Sequence, residues 1–166
     1  MTDWRVATDD DGPDLDLTGR PRELRRVDLE RFFAPRTVAV VGASDTEGRP
    51  NTAVWRRLRT WADGVGAEVH PVNPNRETVD GLACVRSVLD VPGELDVTVI
   101  LVGEAEAALA EAIEVKSRFA VVFASGFAET GEAGAEAQDR LAALVAGSDL
   151  RLLGPNTNLN AFETFR

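Results

Sequence analysis

Five short, mostly β-branched or apolar runs recur along the chain, each closing on a glycine or proline turn, and helix-length stretches separate several of them. "TVAVVGAS" begins at Thr37 and runs Val38–Val41 into Gly42, and "NTAVWRRLRTWADG" follows with Val54, Leu58 and Trp61 on one helical face and Gly64 as the expected stop. "AEVHPVNP" is a second strand closed by Pro74. "LDVTVILVG" (Leu95 to Gly103) is a third, leading into an alanine-rich helix from Glu104 to Val115. "FAVVFASG", a helix from Ala133 to Ala146 with Leu141, Leu144 and Val145 on its apolar face, and "LRLLGPN" complete the series. Strand runs this continuous need cover on both faces, and strands joined through helices pair in parallel by right-handed crossovers. The expected fold is therefore α/β, a doubly wound parallel sheet in a single domain over residues 31–166.

Residues 1–30 read differently. Thr2–Gly19 carries six aspartates together with Gly12 and Pro13, too polar to bury much surface, and Arg20–Arg36 reverses the sign with six arginines. We expect an N-terminal arm that is partly disordered, or a short helix bearing Leu24, Val27, Phe32 and Phe33; the plainer alternative is a solvated charge run leading into the domain.

The first strand-to-helix turn carries the functional signal. In open parallel sheets ligands sit beyond the carboxyl ends of the strands, where free N–H groups and a helix dipole favour an anion. Gly42 lets a phosphate approach the backbone, Ser44 can add a hydroxyl, and Gly48 keeps the following turn open. The same residues also fit a tight turn with Ser44 as a helix N-cap. A nicotinamide dinucleotide site would show G-x-G-x-x-G and an acid ending the second strand. Here the glycines are Gly42 and Gly48, and the second strand ends in Val72-Asn73-Pro74-Asn75-Arg76, where Arg76 could meet an additional phosphate. An NAD(P)-binding redox domain thus stands as the weaker reading.

Charge and cysteine content narrow the partners. A net charge of −10 argues against nucleic acid and against an anionic membrane surface. No apolar run approaches the roughly 20 residues of a membrane span, and the opening "MTDWRVATDDDG" lacks the order of a secretory signal. With one cysteine, Cys84, no intrachain disulfide forms. A cytoplasmic protein is expected. Cys84 reads as a small packed hydrophobe, the single histidine His70 as a strand residue, and Trp55 and Trp61 as core or interface anchors. Glu129, in "SGFAETG", reads as a helix-capping or surface acid. No metal site is expected.

Taken in order, "FFAPRTVAVVGAS", "VHPVNPNRETVDGLACVRSV", "ELDVTVILV", "AVVFASGFAETGEAG" and "LRLLGPN" resemble the CoA-binding domain that opens the NDP-forming acyl-CoA synthetases, the superfamily of the succinyl-CoA synthetase α subunit. The resemblance spans Phe32 to about Asn156. It implies a Rossmann-like domain in which Gly42, Ala43 and Ser44 receive the phosphates of coenzyme A. The Asn73–Arg76 loop and the Val102-Gly103-Glu104 turn would flank the nucleotide. The family often has glycine where Asn51 stands, lysine where Asn75 stands, and Pro-Ala where Gly103-Glu104 stands; Arg49 or Arg76 would supply the lysine's charge. Partners implied are downstream or separate domains carrying a phosphohistidine and a nucleotide-grasp function. The chain itself would carry no catalytic residue, and a non-catalytic CoA-sensing or scaffold module is the further alternative.

Overall fold

The computed structural model describes residues 29–157 and Phe165. Most of the expected N-terminal arm, residues 1–28, lies outside the described residues. Within them one helical turn, α1 (Glu30–Phe33), precedes the sheet, and Phe32 packs edge-on against Phe119 and Phe165.

Strand β1 (Thr37–Val41), helix α2 (Pro50–Val65) and strand β2 (Glu68–Val72) form the first parallel unit. A small antiparallel hairpin follows, β3 (Thr78–Val79) and β4 (Leu82–Ala83). The chain then crosses to the other side of β1 as β5 (Val97–Ile100), continues through α3 (Ala105–Glu114) to β6 (Phe119–Val122), and through α4 (Glu132–Ala146) to β7 (Arg151–Leu153). The main sheet has the order β2-β1-β5-β6-β7, parallel throughout. The direction of winding reverses between β1 and β5, which makes their carboxyl ends the topological switch point.

The apolar runs form strands because both of their faces are covered. Val38 and Val40 pack with Val97, Val99, Phe119 and Val121 under α2, while Ala39, Val41, Ile100, Ala120 and Val122 pack under α3 and α4. Period-two alternation therefore feeds two cores from one sheet. On α2 the buried residues are Thr52, Val54, Trp55, Leu58 and Ala62, one face of a helix. Trp55 and Leu58 are almost wholly enclosed, each contributing about 1.5–3 kcal/mol by removal from water. The face of α3 is Ala105, Ala108, Leu109 and Ala112, small residues that let it lie close to the sheet.

The structure differs from the expectation at three points. Gly64 does not stop α2: the helix continues to Val65, and Gly66 closes it at φ +73° with its N–H donated to the Ala62 carbonyl, the left-handed conformation that suits glycine. On α4 only Leu141 of the expected trio is fully buried; Leu144 and Val145 are half-buried beside it. The β3–β4 hairpin had no counterpart in the strand-and-helix reading. Its turn is Asp80-Gly81 with φ of +46° and +80°, and Asp-Gly between apolar residues is the dipeptide that favours a two-residue hairpin loop.

Candidate functional site

At the carboxyl end of β1 the chain leaves the sheet through Gly42. Its N–H donates to the Val72 carbonyl at 2.8 Å and its φ is +85°. A side chain here would lie 2.7 Å from Val102 Cγ1, at the end of β5, so glycine is required both by backbone conformation and by the closeness of the two strand ends. Ala43 is fully buried, and its carbonyl accepts the Asn73 side-chain amide at 2.9 Å. Ser44 is also buried, and its Oγ accepts the Thr46 N–H at 3.1 Å. Ser44 thus closes a local turn and is not the N-cap of α2. That position belongs to Arg49, which makes no side-chain capping bond and is followed by Pro50 in the first turn.

Between Ser44 and Arg49 the loop is held from outside. Thr52 Oγ1 donates to the Thr46 carbonyl at 2.7 Å, and the N–H groups of Ser44, Asp45, Glu47 and Gly48 have no acceptor among the described residues. Uncommitted N–H donors at the mouth of a helix suit an anion. Asn51 Nδ2 reaches the Gly42 carbonyl at 3.1 Å and the Leu101 carbonyl at 3.4 Å. Its amide stitches β1 to β5 at the depth that a second glycine would leave open.

Arg76, in the loop after β2, reaches across to this turn. Its Nη1 pairs closely with Asp45 Oδ1, and its Nη2 donates to Thr46 Oγ1 at 2.6 Å. Asp45 Oδ2 also accepts the Asp80 N–H at 3.1 Å, tying the turn to the β3–β4 hairpin. Asp80 in turn accepts Trp55 Nε1–H at 3.0 Å and Arg56 Nε–H at 3.2 Å, while Arg59 donates to its carbonyl at 2.6 Å. Arg56 further contacts Glu47 at 2.8 Å. The Arg56 guanidinium, and the Trp55 N–H beyond it, hold the Asp80 carboxyl below the usual carboxylate range; Arg56 itself is raised by Asp80 and Glu47. The acids of this loop are therefore neutralised by paired arginines.

The expected site residues divide by position. Gly42, Ala43, Ser44, Gly48 and Arg49 form the turn, Asn73, Asn75 and Arg76 the loop beside it, and Val102 packs over Gly42. Asn75 donates its N–H to Asn73 Oδ1 at 3.0 Å. Gly103 and Glu104 are exposed at the start of α3, Glu104 at the N-cap without a capping bond. Glu129 is exposed and accepts the Gly126 N–H at 2.7 Å, and that bond lowers its pKa. Cys84 is half-buried with Sγ 3.6 Å from the Asn73 carbonyl, and burial pushes its thiol up. His70 lies on edge strand β2, half-buried, its Nε2 3.6 Å from Glu68.

Asp45, Thr46, Asn51, Arg56 and Asp80 were not among the expected site residues. Asp80-Gly81 was the one local signal that could have located part of this network. Among the described residues no group of His, Cys, Asp or Glu side chains could hold a metal ion, and no helix is long and apolar enough to cross a membrane. A cavity of about 830 Å³ opens at the amino-terminal edge of the sheet, lined by Arg31, Lys116, Arg118 and Arg151 together with Glu94 and Asp149. Its position at the opposite end of the strands from the switch point sets it apart from the site expected in such a sheet.

Known proteins resemble this chain over most of its length. The profile of the CoA binding domain family matches residues 36–162. Acetate–CoA ligase (ADP-forming) II of Archaeoglobus fulgidus is 37% identical over 132 residues, covering 78% of this chain and 19% of that protein. The α subunit of acetate–CoA ligase (ADP-forming) II of Pyrococcus furiosus is 34% identical over 143 residues, covering 80% of this chain and 31% of that one. Among solved structures, the apo form of dinucleotide-forming acetyl-coenzyme A synthetase 1 of Ca. Korarchaeum cryptofilum superposes with a TM-score of 0.71 at 36% identity, over 78% of this chain and 28% of its own. The chain thus spans between about a fifth and a third of the length of these relatives.

Proposed function

We propose that the chain, which belongs to the family of CoA-binding domains, holds coenzyme A with its phosphates against the turn from Gly42 to Arg49. The observation that carries this reading is the set of N–H groups at Ser44, Asp45, Glu47 and Gly48 without acceptors among the described residues, at the switch point of a parallel sheet. Arg76 and Arg49 would add charge. Asn73, Asn75 and the Val102–Glu104 segment would flank the nucleotide.

Coenzyme A would be a substrate here, not a resident cofactor. In an assembled ADP-forming ligase its thiol would attack an acyl phosphate, forming the thioester and releasing phosphate. This domain would bind and orient CoA, while separate domains or a second subunit carry a phosphohistidine and the nucleotide-grasp function. The small share of the ligases' length that it matches, and the separate α subunit among its relatives, support that division. An acidic chain with one cysteine fits a cytoplasmic place of action.

A ligand that binds only the folded state raises apparent stability by mass action. Coenzyme A should therefore raise the melting temperature of the chain more than NAD or NADP at equal concentration. A larger shift with either nicotinamide dinucleotide would overturn the reading.

A further inference from the structure

The cavity at the amino-terminal edge of the sheet holds more positive charge than its own acids meet. Arg118 pairs with Glu94 at 3.3 Å and with Asp96 at 3.2 Å. The side chains of Arg31, Lys116 and Arg151 line the same cavity and have no acidic partner among the described residues. They arrive separately: Arg31 from α1, Lys116 from the turn after α3, and Arg151 from the start of β7, where its N–H donates to the Arg118 carbonyl at 3.1 Å. Cations held around one cavity repel one another and are relieved by an anion. The chain carries one nearby. Five of its aspartates fall within residues 9–16, and 14 residues separate Asp16 from Arg31, a reach of up to about 50 Å. A segment tethered so closely meets the cavity at an effective concentration in roughly the millimolar range.

We propose that the aspartates of residues 9–16 dock in this cavity against Arg31, Lys116 and Arg151, so that the acidic segment of the chain is the ligand of its own basic edge. The docking is independent of the CoA-binding reading, because it uses the opposite end of the strands. The competing role for the cations is local: the carboxyl ends of α3 and α4 favour positive charge beside them, and Lys116 follows α3 directly. In that case the acidic segment would have no part in the cavity.

Lys116 is the only lysine in the sequence, so carbodiimide coupling of the full, unaltered chain separates the two. The reagent activates a carboxyl group; attack by a neighbouring amine expels the urea and leaves an amide with no spacer, which joins only groups already in contact. Peptide mass spectrometry of the monomeric product should place the main Lys116 crosslink on Asp9, Asp10, Asp11, Asp14 or Asp16. Its yield should fall several-fold on going from low ionic strength to about 1 M salt, where the screening length contracts to about 3 Å. Lys116 joined chiefly to Glu94, Asp149 or another acid of residues 29–166, or joined to the aspartates only in covalent dimers, would overturn the docking. So would a yield that ignores salt. A cycle of variants gives a second reading without the reagent. Arg151→Gln should lower the melting temperature at low salt, and that loss should largely vanish in a chain already carrying Asp9→Asn, Asp10→Asn and Asp11→Asn, because the partners are then missing. An equal loss in both backgrounds would show that the cations and the acidic segment act apart.

Discussion

Gly42 and Ser44 are neighbours in the same turn, yet their substitution should have unlike consequences. Gly42→Val places a branched side chain at φ +85° and 2.7 Å from Val102, and strain of that kind costs on the order of 1–3 kcal/mol. Its melting temperature should fall, and in protein that remains folded CoA titration should show little or no binding. Ser44→Ala removes only an oxygen that accepts the Thr46 N–H, so measurable affinity should remain. Unchanged CoA affinity in both variants would place the ligand elsewhere. Asp80 offers a test by pH. Its folded pKa is held down by Arg56, so the stability it contributes is fully present above the ordinary carboxylate value of about 3.9 and is lost as pH falls through the lower folded value. The difference in melting temperature between the unaltered chain and Asp80→Asn should be largest near neutrality and shrink in acid. A difference independent of pH would show that the charge is not what matters there.

Among the elements, β1, β5 and β6 were the most legible because no charge interrupts them and Thr98 is the one polar residue within the runs Val38–Val41, Val97–Ile100 and Phe119–Val122, which are buried nearly residue for residue, as a strand covered on both faces must be. The end of α2 was less legible. Gly64 and Gly66 are both candidates in one dimension, and only the φ of +73° at Gly66 identifies the stop. The network of Asp45, Arg76, Asp80 and Arg56 left no periodic trace at all, since its members meet across separations of 24 to 35 residues. Helix α4 shows how packing can reverse a propensity. Alanine in place of a helical glycine ordinarily gains about 1 kcal/mol, but at Gly134 an added methyl would overlap the Phe127 carbonyl and the Thr130 hydroxyl of the preceding turn. Overpacking of that kind costs about 1–3 kcal/mol. Gly134→Ala should therefore lower the denaturant midpoint, and a higher midpoint would mean that the turn from Ala128 to Thr130 yields easily.

For the whole molecule, the sheet order points to the region of the proposed site more directly than single residues do. A parallel sheet of this winding was readable from the alternation of runs, and the switch point between β1 and β5 follows from it; which side chains gather there depended on loops whose course only the structure traces. The same view separates binding from turnover. We expect residues 1–166 by themselves to form no acyl-CoA from a carboxylate, ATP and CoA, and to retain no label from γ-labelled ATP. The chain has one histidine, His70, which is half-buried on an edge strand beside Glu68. Stable label on His70 would contradict this. The turn after β1 also depends on later parts of the chain: Gly42 leans on the Val72 carbonyl and on Val102, Asn51 bonds the Leu101 carbonyl, and Asp45 bonds the Asp80 N–H. On the ribosome, the turn after β1 would therefore wait, unformed, until the strand ending at Ile100 and the residues just beyond it had cleared the exit tunnel. Binding competence would then arrive in one step.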